Sequence, residues 1–292
     1  VRVEAYAKVN LGLAVGELKA DGFHEIETLF QSVGVFDDVL LVSGPAAEGL
    51  SLSVSGLEVP RGRDNLAWKA AESVISESGC PGARIRLTKR IPVAAGLGGG
   101  SADAAAVLNG LVALHELTIE DARLHELGLE LGSDVPFMLR GGAAVGRGRG
   151  EILEPVQPLS AGAFVLVTPQ FGVSAAQAYR EARIGLTERS SFIRVNCSAI
   201  REGNVLRLAE GLRNDLEAGV VSACPEVADI KSALLAEGVL GASMSGSGPT
   251  VFGVVENHHR GEEVAAALEG RAWNIQVVEP IDVGQRVTLE TA

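Results

Sequence analysis

PVAAGLGGGSADAAA, residues 92–106, is the stretch whose reading organises the rest of the chain. Gly96, Gly98, Gly99 and Gly100 let the backbone turn its N–H groups inward with no Cβ in the way. Ser101 then opens an alanine-rich helix, expected over 101–117, whose first-turn amides lack intrahelical partners and carry partial positive charge. Loop and helix terminus together make an anion site, with phosphate the obvious occupant. No lysine precedes Ser101, so this is not a Walker A loop. A dinucleotide fingerprint begun at Gly96 puts Ser101 where its third glycine belongs, and Pro92 interrupts the strand-to-helix turn. A merely flexible lead-in to a helix is the remaining alternative. It is a costly one, because glycine loses more backbone entropy on ordering than any other residue.

Upstream of the loop the sequence reads mostly as strands, over 3–9, 11–18 (with Asn10 as the break), 28–35, 39–42, 50–54 and 83–87. One helix interrupts them at 64–78, with Asn65 or Asp64 as its cap and Gly79 as its stop. Downstream, a second helix is expected over 118–131, with Thr118 and Asp121 as a capping-box variant. The glycine-rich 140–151 reads as a strand and turn joining two domains, and the polar 184–198 as a loop. Strands at 164–168, 241–244, 250–255 and 274–278 alternate irregularly with helices at 174–183, 201–211, 225–237 and 259–270. Strands and helices mixed without regular alternation predict an α+β fold, with a domain boundary near 150–160.

Composition narrows the function. The 292 residues carry a net charge of −12 and are 47% hydrophobic, enough for a sizeable core and too apolar for disorder. The acidic balance argues against a nucleic-acid or membrane-surface binder, both of which need clustered Lys and Arg. Cys80, Cys197 and Cys224 are odd in number and lack ligand spacing, which suggests reduced thiols and neither a disulfide framework nor a zinc site. No apolar run approaches a membrane span and the N-terminus does not read as a leader, so a cytoplasmic protein is expected. His115, His125, His258 and His259 read as surface residues, and Trp68 and Trp273 as core.

Two polar residues stand out against their surroundings. Lys8 lies in the apolar strand AYAKVN with Asn10 two residues on, so both face one side. It is either a snorkelling edge lysine or a functional cation. Asp134, in LGSDVPF, follows Gly132 and precedes Pro136, which also suits a plain turn or N-cap aspartate.

The glycine block resembles the phosphate-binding motif of the GHMP small-molecule kinases, and the similarity extends along essentially the whole chain. It rests on AYAKVNLGLAV (5–15), DGFHEIETLFQSV (21–33), PVAAGLGGGSADAA (92–105), LGSDVPFML (131–139) and SGSGPTVFG (245–253), in the family's order. The resemblance implies a two-domain α+β fold. An N-terminal domain of ribosomal protein S5 domain 2-like type (1–155) would carry the phosphate loop and the catalytic residues. A ferredoxin-like C-terminal domain (156–292) would follow. It implies ATP, with Mg²⁺ on its phosphates, over Pro92, Gly96, Leu97, Gly98, Gly99, Gly100, Ser101, Ala102 and Asp103. Asp134 and Lys8 would be the catalytic pair, an aspartate that takes or orients the acceptor hydroxyl's proton beside a lysine that steadies the charge.

DGFH (21–24) resembles the family segment that holds a cytidine end, so the implied partner is a diphosphocytidyl small molecule. Asn10, Phe23, His24 and Tyr179 are then the substrate-binding candidates. Phe23 and Tyr179 would flank the base and His24 would read its edge. Helix packing for Tyr179 and a turn role for His24 are the simpler alternatives. SGSG (245–248) reads either as part of the site or as a tight hairpin turn. Two other functions stay open, a GHMP kinase with a different acceptor and a non-catalytic nucleotide binder. The sequence is silent on oligomeric state.

Overall fold

The structure is a computed structural model that describes residues 1–20, 22–44, 49–180, 182 and 191–289. β1 (Arg2–Leu18) and β2 (His24–Ser43) form one long antiparallel hairpin, from Arg2 opposite Leu40 to Leu18 opposite His24. The expected break at Asn10 is a register shift between Asn10 and Gly12 within a continuous strand, so the polar residue bends the pairing without ending it. Residues 5–16 are buried without alternation, as befits a strand covered on both faces.

β3 (Ser51–Gly56) runs parallel to β4 (Ala83–Lys89), which pairs with β2. α1 (Leu66–Ser78) lies between them in sequence; the Asn65 side chain accepts from Ala67 N at 2.8 Å and Gly79 closes it in a left-handed conformation. α2 (Gly99–Leu114) packs on α1, β1 and β2, with Ala102, Ala104, Ala105, Ala106 and Gly110 buried, and at Gly110 its backbone comes close to Leu41 and Val3 of the sheet. α3 (Asp121–Leu131) and α4 (Val135–Arg140) complete that layer. The expected Thr118 cap is not formed: α3 starts three residues later, behind Glu120, without a side-chain cap.

The glycine-rich 140–151 segment does not join the domains. It builds β5 (Ala143–Gly148), which pairs with β2 and, across a tight turn, with β6 (Ile152–Val156). β7 (Ala163–Thr168) begins the second sheet, followed by α5 (Ala175–Arg180). Part of the expected 184–198 loop is α6 (Ser191–Arg201), with 184–190 outside the described residues. Its Ser, Asn and Cys are weak helix formers, but Ile193, Asn196, Ala199 and Ile200 recur on one buried face, and tertiary packing overrides propensity. The helix expected over 201–211 is accordingly only α7 (Val205–Glu210), capped by Asn204, whose side chain accepts from Arg207 N.

α8 (Glu217–Ala223), α9 (Glu226–Ala236), β8 (Gly241–Met244), β9 (Val251–Val255), α10 (His258–Ala267) and β10 (Asn274–Val278) follow. The second sheet has the order β10–β7–β9–β8, all antiparallel, with its own core. The chain then returns to the first sheet, where β11 (Pro280–Ile281) pairs with β2 and β12 (Gln285–Thr288) with β1. Ile193, Ile200 and Leu208, from α6 and α7, also bury themselves in the first core. The two sheets are thus laced together by segments that follow residue 156 and return to the first sheet and its core.

His115 is half-buried rather than on the surface, and burial lowers its pKa. Trp68 and Trp273 are half-buried; Trp273 packs on the second core and donates to Glu226 at 2.7 Å. Cys80, Cys197 and Cys224 are free thiols. Among the described residues no helix is long and apolar enough to cross a membrane.

Candidate active site

The glycine loop, the ends of β1 and β2, α5 and the 245–248 turn surround one cavity of about 1180 Å³. The loop is held from several directions through its carbonyls. Ala94 O accepts from Val173 N (3.0 Å), Ala95 O from Thr250 N (3.3 Å) and Leu97 O from Lys8 N (3.1 Å). Gly96 O accepts from Lys8 Nζ (2.9 Å) and Ser245 Oγ (3.0 Å). Four consecutive acceptors are therefore turned to protein donors, and none has to face an anion. The helix N-terminus of α2 is then the electrostatic feature that the loop itself presents to the cavity.

Close approach explains the glycines. Gly96 has φ +78°, and a Cβ there would lie 2.0 Å from Ser245 O. Gly98, the N-cap of α2, has φ +72°, and its Cβ would meet Met138 Cε at 2.2 Å and Lys8 Cε at 3.2 Å. Gly100 has an ordinary φ and meets only Leu66 at 3.4 Å, so its backbone does not demand glycine. Pro92, Gly96, Gly98, Gly99, Gly100, Ser101 and Asp103 line the cavity. Leu97 and Ala102, also expected there, are buried in the core behind it.

Lys8 sits beneath the loop with its side chain only 4% exposed. Its Nζ donates to Asn10 Oδ1 at 2.7 Å and lies 3.5 Å from Asp134 Oδ2. Asp134 is the more open partner, at 32%; it stands in the turn at the N-cap position of α4, but its side chain makes no cap hydrogen bond there. Asn10 lines the cavity, but its amide is already engaged: Nδ2 donates to Thr28 Oγ1 (2.8 Å), which donates to Gly12 O (2.7 Å). Asn10 is thus a strut that aims the ammonium.

The 245–248 turn is both a hairpin and a wall of the site. β8 and β9 pair across it, while Ser245 Oγ binds the glycine loop and accepts from Asn10 N at 3.3 Å. Asn214 clamps it from behind, donating to Met244 O and Gly246 O at 2.8 Å each.

A buried ion triad, absent from the sequence reading, supports the loop from below. Lys89 Nζ binds Asp103 Oδ2 at 2.9 Å and also Asp37, and all three side chains are almost fully buried. Asp37 accepts in addition from Arg90 N (2.5 Å) and Ile91 N (2.9 Å), which fixes the chain leading into the loop. A Cβ on Gly99 would come within 2.7 Å of the Lys89 ammonium. Asp103 therefore points inward to Lys89, with Oδ1 lacking a hydrogen-bond partner. Burial pushes its carboxyl up to about 8 against the pull of Lys89, while the two carboxylates hold Lys89 above its ordinary value despite burial.

This shift has a testable sign. The folded Asp103 keeps its proton to about pH 8, whereas the unfolded one loses it near its ordinary 3.8. The native state binds the extra proton across that window, so this group's contribution to stability weakens as pH rises through it. Asp103→Asn is expected to flatten that decline, as read from urea midpoints between pH 4 and 8. A decline of equal steepness in the variant would exclude Asp103 as its source.

At the far end of the cavity His24 opens β2, with Nδ1 hydrogen-bonded to Gly16 O at 2.9 Å. Its ring stacks on Tyr179, centroids 5.8 Å apart at 16°. Burial first, and the nearby Asp134 charge second, push the Tyr179 hydroxyl well above its usual range. Phe23 is half exposed, and Arg149 lies over it, 3.7 Å from the ring centroid. Tyr179 thus stacks on His24. Asp21, the first residue of the DGFH block, lies outside the described residues. Among the described residues no three His, Cys, Asp or Glu side chains gather as a metal site.

The cavity thus sets a helix N-terminus suited to an anion beside an ion-paired lysine and aspartate. Residues 65–142 match the GHMP kinases N terminal domain, and residues 198–275 match GHMP kinases C terminal. The chain belongs to the GHMP kinase family. It is 47% identical over 263 residues to the 4-diphosphocytidyl-2-C-methyl-D-erythritol kinase of Pelotomaculum thermopropionicum, covering 90% of this chain and 91% of that one. It is 46% identical to the Moorella thermoacetica kinase of the same name, over 91% and 93% of the two chains. A crystal structure of 4-(cytidine 5'-diphospho)-2C-methyl-D-erythritol kinase superposes with a TM-score of 0.80 at 34% identity, covering 95% of this chain and 99% of that one. Homoserine kinase from Cytophaga hutchinsonii shares the fold (TM-score 0.79, 99% and 97% covered) at 20% identity.

Proposed function

We propose that this protein transfers the γ-phosphoryl group of ATP to the 2-hydroxyl of 4-diphosphocytidyl-2-C-methyl-D-erythritol, in the non-mevalonate route to isoprenoid precursors. The observation that carries the reading is identity of 46–47% over nine-tenths of the chain to kinases of that name. The site supports it: phosphate loop, ion pair and aromatic cluster share one cavity.

ATP's phosphates lie over the N-terminus of α2, where amides and helix dipole replace a basic surface in a chain of net charge −12. Asp134 accepts or orients the proton of the attacking hydroxyl, and Lys8 steadies the charge on that oxygen while Asn10 and Gly96 O hold the ammonium in place. Mg²⁺ would be held mainly by the nucleotide's own phosphates, since the described residues offer no cluster of carboxylates for it, and would supply neutralisation of their charge. His24, Phe23 and Tyr179 form the cytidine end. We take 1–155 and 156–292 as the two domains of the reading, the second lending β11 and β12 to the first sheet.

Phosphorus NMR of the product tests the proposal: one new phosphomonoester resonance, with the diphosphate intact, is expected. No new resonance, or a cleaved diphosphate, contradicts it. His24→Ala is expected to raise KM for the cytidylyl substrate about tenfold, the worth of a good base contact, and to leave KM for ATP within twofold. An unchanged KM for the cytidylyl substrate removes His24 from the base site.

A further inference from the structure

The Lys8 ammonium has three polar neighbours, Asn10 Oδ1, Gly96 O and Asp134. A fourth element closes on it from the second sheet. Gly246, in the 245–248 turn, has φ +54°, and a Cβ there would lie 3.0 Å from Lys8 Nζ, 3.0 Å from Asn10 Oδ1 and 3.1 Å from Gly96 O. A backbone packed this closely on the ammonium decides where the ammonium sits. The turn is far along the chain from Lys8, so something must hold it to the strand that carries the lysine.

We propose that Asn214, which does not line the cavity, is a positioning residue for phosphoryl transfer: its carboxamide sets the turn backbone against the Lys8 ammonium. Asn214 Nδ2 donates to Met244 O and Gly246 O, the carbonyls on either side of Ser245. Ser245 in turn reaches Gly96 O, the acceptor that Lys8 also uses. Asn214 Oδ1 accepts from Leu216 N at 2.9 Å, so the amide cannot turn over without breaking all three bonds.

The segment that carries Asn214 is itself tied to β1. Leu13 N donates to Arg213 O and Asp215 N to Leu13 O, at 2.9 Å each, and Val15 N donates to Asp215 Oδ2 at 3.1 Å. At its other end Glu217 accepts from Met244 N at 2.9 Å. Residues 213–217 thus span from the strand that carries Lys8 to the turn that closes on it. Asn214, Met244 and Gly246 are all buried, so losing the carboxamide leaves two carbonyls unpaired where water does not reach. The turn then has to move to relieve them, and a misplacement of about 1 Å in a reacting group costs about 10²-fold in rate.

The proposal rests on the kinase reading of the site, and the test separates the two. kcat, KM for both substrates and Tm are measured for wild type, N214A, K8M and the double variant. N214A is expected to lower kcat about 10–100-fold with KM for ATP within about threefold, since Ala94 O, Ala95 O and Leu97 O keep their donors. In the K8M background N214A is expected to cost less than about threefold, because a residue that acts through Lys8 then has nothing left to place. Losses that multiply in the double variant, or an unchanged kcat in a folded N214A, overturn this proposal alone. G246A keeps every bond of Asn214 and presses a methyl on the same ammonium; it is expected to lower kcat about tenfold or more. Should N214A not fold, G246A carries the test, and an unchanged kcat there overturns the proposal. Wild type that releases no ADP with the cytidylyl substrate overturns the functional reading and this proposal with it.

Discussion

Asp134→Asn is expected to lower kcat by about 10²–10⁴, the usual scale for losing a general base, with ATP affinity preserved. The structure makes this a clean substitution. The Asp134 side chain caps nothing and lies open to the cavity, 3.5 Å from Lys8. Lys8 keeps its bonds to Asn10 and Gly96 O, so the ammonium stays aimed when the carboxylate is gone. Asparagine fills the same volume and still accepts a hydrogen bond, but it cannot take a proton. Single-turnover rates with calorimetric binding of a non-hydrolysable ATP analogue separate the steps. A matching loss of ATP affinity would place Asp134 in nucleotide binding and contradict its assigned role.

Gly96→Ala is expected to unfasten the phosphate loop. Its φ of +78° strains any L side chain, and the new Cβ would sit 2.0 Å from Ser245 O, backbone that no rotamer change relieves. Left-handed strain and overpacking each cost about 1–3 kcal/mol, and their sum shifts Tm by roughly 5–15 °C at the usual few degrees per kcal/mol. The loss is expected to fall first on function. Gly96 O is the shared acceptor of Lys8 and Ser245, so displacing it disturbs both the ammonium and the contact between the two sheets' loops. ATP affinity should fall at least tenfold even where the variant remains folded. Differential scanning calorimetry with ATP titration checks both; a variant with wild-type Tm and ATP affinity would mean that the loop is not held there.

The parts of this site legible in the sequence are those written locally. Four glycines before an alanine run announce a backbone anion site, because the cause and the effect lie within a few residues. Lys8 and Asn10 share a face because a strand has period two, and the structure puts Nζ 2.7 Å from Oδ1. What the sequence leaves unread is mostly contact across long separations. Lys89, Asp37 and Asp103 come together only once β2, β4 and α2 are packed, and nothing local marks a lysine or aspartate for such a triad. Val173 braces the glycine loop from afar, and Asn214 the 245–248 turn, with no motif of their own. Leu97 and Ala102 fell within the motif, yet they are buried, because a binding loop alternates backbone toward the ligand with side chains toward the core. α6 was hidden by its polar composition, and the return of 280–288 to the first sheet by its distance from β1 and β2.

The most direct test is ADP release measured with ATP and Mg²⁺ against three acceptors in parallel: 4-diphosphocytidyl-2-C-methyl-D-erythritol, homoserine and mevalonate. Turnover confined to the first is predicted. Turnover with homoserine or mevalonate instead would leave the phosphate loop standing and contradict the cytidylyl end built from Phe23, His24 and Tyr179. ATP binding without ADP release from any of the three would contradict the catalytic account of Lys8 and Asp134.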